Sequence, residues 1–142
     1  MVDSTHRKQY LVEALKRDSY NEAIRSAALD LLAGVGDDSA LALVKSYSQY
    51  GVERNVRIQA IRQMGKAWGS REDVFLYLLR YLKDPSFHVK RALLEMLGGL
   101  GNPVALGPLN KFVESESDDR LLKSAREAID RIQQAQREKS PH

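Results

Sequence analysis

Val89-Lys90-Arg91-Ala92-Leu93-Leu94-Glu95-Met96-Leu97-Gly98-Gly99-Leu100-Gly101 is the stretch that decides the fold. Val89, Leu93, Leu97 and Leu100 fall at offsets 0, 4, 8 and 11, which share one stripe of an α-helix. Gly101 stands where that helix should stop. The same grammar recurs on both sides. Anchors at Ile24, Val56, Val89 and Leu121 are spaced by 32, 33 and 32 residues. Offset 4 holds Ala28, Ala60, Leu93 and Ala125, and offset 8 holds Leu32, Met64, Leu97 and Ile129. Offset 11 holds Val35, Ala67, Leu100 and Ile132. One apolar rule kept at constant period is the signature of a repeat architecture.

Working outward, more hydrophobic segments lie between these helices, over residues 7–17, 39–50, 71–83 and 103–114. The punctuation supports the cuts. Ser19 and Glu22 can form a capping box, and Asp84-Pro85 and Asn102-Pro103 each place an N-cap residue before a proline. Gly36, Gly51, Gly69 and Gly101 stand at helix ends. Pro108 falls inside the fourth intervening helix and should kink or shorten it. No segment alternates with period two for long, so no sheet is expected. Each unit is a helix, a short turn and a helix, and neither helix can bury its apolar face alone. The expected fold is all-α: one domain over residues 1–142, an α-solenoid of about four helix pairs, with flexible ends at 1–6 and 136–142.

Composition narrows the function. A single domain of 142 residues can build a core without metal or disulfide. With 0 cysteines there is no thiolate zinc site, iron–sulfur cluster or cysteine nucleophile. Twenty-two Lys+Arg against 19 Asp+Glu give a net charge of +3, too mild to point to nucleic acid. The longest apolar run, Val74 to Leu79, is too short to span a membrane, and the first ten residues hold no secretory apolar region. A cytoplasmic location is the expectation.

The pattern V-R-x-x-A-x-x-x-L-G-x-L-G, nearly complete in Val89–Gly101, resembles HEAT repeats over about Arg7 to Ile132. The fourth unit departs from it, with Leu122 in the basic position and Lys123 one place late. Tyr50–Lys66, Leu82–Gly101 and Ala125–Ile132 also resemble the C-terminal helical domain of zinc-dependent gluzincin aminopeptidases. That second resemblance implies a non-catalytic module that covers an active site and helps position peptide. Its partners would be the parent's catalytic domain and peptide, with zinc held in the parent. The alternative is a free-standing HEAT adaptor that binds a protein partner on a concave face.

This chain has neither H-E-x-x-H nor a Gly-x-Met-Glu-Asn loop, and its histidines are His6, His88 and His142. They cannot supply three convergent zinc ligands by any spacing rule, so no cofactor or metal site is expected here. No His-Glu dipeptide exists for a di-iron HEAT hydroxylase. Gly98-Gly99-Leu100-Gly101 ends a helix rather than opening one, so its amides do not form a phosphate cradle. Asp37-Asp38 and Asp118-Asp119 sit in turns and read as caps.

Two basic sets remain. Arg25, Arg57 and Lys90 follow the anchors and form a candidate inter-repeat ladder, with Asp18, Asp84 and Asp118 as acidic partners. Offsets 2, 6 and 9 lie opposite the apolar stripe and would line the concave face. There Arg62, Arg91 and Lys123 are the candidate binding residues, with Ala33, Gly65 and Gly98 leaving room for approach. Asp30, Glu95, Glu127 and Asp130 share that face, which is too mixed for phosphate binding. Trp68 occupies offset 12, where the neighbouring units have Gly36 and Gly101, and should cover an inter-helix turn.

Overall fold

The computed structural model describes residues 8–10, 22–49 and 51–139. The capping box at Ser19, the acid Asp18, His6, His142 and most of the expected first helix lie outside them. Residues 8–10 are helical, followed by α1 (Glu22–Val35), α2 (Asp38–Ser46), α3 (Arg54–Trp68) and α4 (Glu72–Leu79). A 3-10 turn, Arg80–Lys83, then leads to α5 (Phe87–Leu100). A second 3-10 turn, Pro103–Ala105, precedes α6 (Leu106–Ser115) and α7 (Asp119–Lys139). No strand occurs among the described residues, and the fold is an all-α solenoid of helix pairs. None of the described helices is long and apolar enough to cross a membrane. The chain divides into two compact units, residues 1–75 and 76–142, with the division inside α4.

In the first unit α1 packs on both α2 and α3, and α2 packs on α3. Leu29, Leu32, Ala40, Val44, Val56, Ala60, Ile61 and Met64 form its fully buried centre. Gly36 ends α1 with φ +75°, a left-handed turn that a side chain would strain. The next residue, Asp37, caps α2. Its carboxylate accepts from Ala40 N at 2.7 Å, from Ser39 Oγ at 2.9 Å and from Lys8 Nζ at 3.0 Å.

The Ala40 amide first, then Lys8 and Ser39, hold the Asp37 carboxyl down at about 2, against an ordinary 3.8. A depressed carboxyl contributes stability that is fully present above its ordinary value and is lost as pH falls through its folded one. Wild type should therefore lose stability over Asp37→Asn as pH drops from about 5 toward 2, whereas above that window the gap stays constant. Urea melts of the two proteins across that range check the expectation.

In the second unit α5 packs along α7, and α6 closes against α7. Val89, Leu93, Leu94, Leu97, Leu109, Ala125 and Ile132 are fully buried there. Ser86, not Asp84, caps α5, because Ser86 Oγ accepts from Val89 N at 3.3 Å. Asp84 sits one step upstream and accepts from Ser86 N at 2.9 Å, so it shapes the turn that presents the cap. Asn102 behaves as expected and accepts from Val104 N at 2.9 Å. Pro108 lies in the first turn of α6, where its missing N–H costs little, and a 3-10 turn replaces helix before it. Helix α7 runs through Lys139, further than the flexible end expected from residue 136.

The buried face of the second helices is wider than the stripe at offsets 0, 4, 8 and 11. Offset 5 (Leu29, Ile61, Leu94) and offset 9 (Ala33, Gly65, Gly98) are buried as well, whereas Ala67 at offset 11 is exposed. Leu100 and Val35 are only half-buried. The wedge covers roughly 180° of the helix, at 3.6 residues per turn. The reason is contact on two sides: α3 packs on both α1 and α2, and α5 on both α7 and the 3-10 turn Arg80–Lys83.

Candidate interaction surface

The widened wedge changes the setting of the ladder. Offset 1 lies near its middle, not at its edge. Arg57 is accordingly 4% exposed, and its Nε donates to the Ser48 carbonyl at 3.1 Å. Lys90 is largely covered and pairs with Glu116 at 3.4 Å, an acid the sequence did not single out. Arg25 is half-buried on α1. Asp118 turns instead to Arg120 at 2.9 Å, which holds its carboxyl below the usual range, and it caps α7 through Arg120 N. A cation in mid-wedge requires such partners, because an unpaired buried charge is costly.

The small residues at offset 9 serve helix packing as well as access: Ala33 and Gly98 border open clefts of about 400 and 640 Å³, but both are themselves packed. A Cβ on Gly98 would stand 3.2 Å from Ala128 Cα and 3.3 Å from Arg131 Cδ. Helix α7 already occupies that space, and Gly98 is what allows the close approach. Ala33 and Gly65 are buried too.

Neighbouring second helices are further tied at their ends. Trp68 Nε1 donates to the Gly36 carbonyl at 3.3 Å, covering the turn as expected. Gln136 Nε2 does the same for the Gly101 carbonyl at 3.1 Å. Carbonyls left open where α1 and α5 end are thus satisfied from the following second helix.

Arg62, Arg91 and Lys123 are exposed on their helices, Arg62 in the first unit and the other two in the second. Arg91 leans toward Glu95 at 3.5 Å across one helical turn, with both side chains more than half exposed. In the first unit Asp30 accepts from Gln63 Nε2 at 2.9 Å. Glu127 and Asp130 are exposed on α7. The face alternates in sign.

One concave feature escaped the sequence reading. In the second unit, a cleft of about 670 Å³ opens between the 3-10 turn Arg80–Lys83, the start of α5 and the face of α6. Leu82, Pro108 and Phe112 line it, and Arg80, Lys83 and Lys111 stand around them. The Lys90–Glu116 pair closes one side. Lys83 and Lys111 belong to different helix pairs and are not in repeat register, so no spacing rule links them.

Among the described residues no group of three His, Asp or Glu side chains converges as a metal site. His88 is exposed in the first turn of α5, edge-on to Phe87 at 5.3 Å.

Paired helices on a period near 32 residues, packed on one another within each compact unit, define a helical repeat protein. The model of HEAT repeats matches residues 51–130, which include Arg62, Arg91 and Lys123. The chain belongs to the HEAT-repeat family. No curated protein matches it.

Proposed function

We propose that this chain is a non-catalytic HEAT module that binds a protein partner through the exposed faces of its second helices. The observation that carries the reading is the face itself. Arg91, Glu95, Lys123, Glu127 and Asp130 present alternating charge on α5 and α7 without a convergent catalytic set. Alternating charge suits a protein surface with complementary pairs and discriminates between partners, whereas phosphate backbones need a row of one sign. The aminopeptidase reading is a special case of this one, in which the partner is the catalytic domain of a parent enzyme. It is supported by the wording of Tyr50–Lys66, Leu82–Gly101 and Ala125–Ile132.

Arg91→Glu with Lys123→Glu should leave the melting temperature within a degree or two, because both side chains are exposed. The same double variant should weaken binding to a purified partner by about tenfold or more and change its salt dependence. Chromogenic amino-acid amides should not be hydrolysed by the purified chain, since peptide hydrolysis of the gluzincin type needs a zinc-polarised water and a general base. Turnover by the bare chain would overturn the proposal. A change in turnover or peptide-length preference, when the chain is added to a gluzincin catalytic domain, would assign the aminopeptidase special case.

A further inference from the structure

We infer that the cleft between the 3-10 turn Arg80–Lys83 and α6 is a second docking site, and that its occupant is an acidic protein segment carrying a large apolar side chain. The inference rests on the reading of the chain as a protein-binding module. It concerns a different surface, built on the 3-10 turn Arg80–Lys83 and α6 with only Lys90 from a second helix.

Three observations specify the occupant. The first is size: about 670 Å³ falls within the roughly 300–1,000 Å³ of clefts that enclose a compact ligand. The second is the floor. Leu82 and Phe112 are nearly buried and Pro108 is half-buried, so an apolar side chain entering here displaces water from carbon. The third is the charge around that floor, where four cations face a single carboxylate, Glu116. Glu116 is already engaged by Lys90, which leaves Arg80, Lys83 and Lys111 for an incoming acid. Arg80 is braced with its guanidinium 4.8 Å from the centre of the Tyr77 ring, which holds it on the wall of the cleft.

An apolar floor with cations around it asks for the reverse pattern in its ligand: a leucine- or phenylalanine-sized group flanked by carboxylates. Nucleic acid fits less well. Its bases need exposed rings for stacking, and here Phe112 is buried and Tyr77 is taken up by Arg80 and Tyr81.

Gly107 supplies a clean test. It lines the cleft, is exposed, and a Cβ built on it meets nothing within 4 Å. Gly107→Leu therefore fills the entrance without touching the core, and Lys83→Glu with Lys111→Glu reverses the charge around it. The probe is a short fluorescein-labelled peptide in which two leucines are flanked by glutamates, titrated with the whole chain and followed by anisotropy. Binding should weaken about tenfold or more in each variant, and to the same degree when glutamine replaces glutamate or serine replaces leucine. Amide resonances of Lys83, Lys111 and Phe112 should move on titration.

Absence of peptide binding by wild type, or wild-type affinity in both cleft variants, overturns the inference. So does displacement of the peptide by oligothymidine that binds the cleft variants more weakly than wild type, since the occupant would then be nucleic acid. Peptide binding lost only in Arg91→Glu with Lys123→Glu removes the cleft while leaving the protein-binding reading intact. Failure of that broader reading shows separately, as hydrolysis by the chain.

Discussion

Ala60→Asp is expected to cost about 4 kcal/mol or more, and Ala67→Asp on the same helix no more than about 0.5 kcal/mol. Both residues are alanines of α3, and both belong to the apolar pattern of the sequence. Ala60 is 0% exposed and belongs to the fully buried centre of the first unit, so an aspartate there carries a charge into a closed core. Ala67 faces solvent in the last turn, where an added carboxylate is hydrated and meets only a mild penalty from the helix dipole. Chemical denaturation of the two variants gives the comparison directly. Equal losses would mean that the second helix is rotated from the orientation described.

The second large effect is expected at the paired glycines of α5. Gly98→Leu should destabilise by about 3 kcal/mol, because its Cβ alone would already crowd the Ala128 backbone at 3.2 Å. Backbone cannot swing aside as a side chain can, so α5 and α7 would have to part. Gly99→Ala should act in the opposite sense. Its Cβ meets only the end of the Arg131 side chain, at an ordinary 3.6 Å. Removing glycine's freedom in the unfolded chain should then add about 0.4–1 kcal/mol. Thermal melts separate the two, and a destabilised Gly99→Ala would show that the neighbouring helix lies closer than described.

Much of the architecture was legible in residue order. The period near 32 residues, the anchors Val56, Val89 and Leu121, and the cap at Asn102 all follow from local rules of periodicity and capping. So does the helix end at Gly101, which has φ +67°. These features depend on a residue and its near neighbours along one helix. The helix cap before α5 shows the limit of such rules. Asp84 and Ser86 both have the chemistry for it, and only the course of the chain around Pro85 selects Ser86.

The candidate surface was legible only in part. Exposure of Arg62, Arg91 and Lys123 agrees with their positions on the helical wheel. That the small residues at offset 9 are packed was not legible, because a wheel drawn for one helix assumes one packed side. Here the second helices are packed on two sides, and the identity of the second neighbour is not written in the helix it covers. The same limit explains Glu116, which meets Lys90 from 26 residues away, and the cleft formed where Lys83 and Lys111 come together. Sequence by itself determined that the chain is a HEAT-type helical repeat, because periodicity and capping act within a few residues. Tertiary structure alone decided which glycine is a contact, which acid answers Lys90 and where an apolar cleft opens among cations, because those depend on how separate helices approach in space.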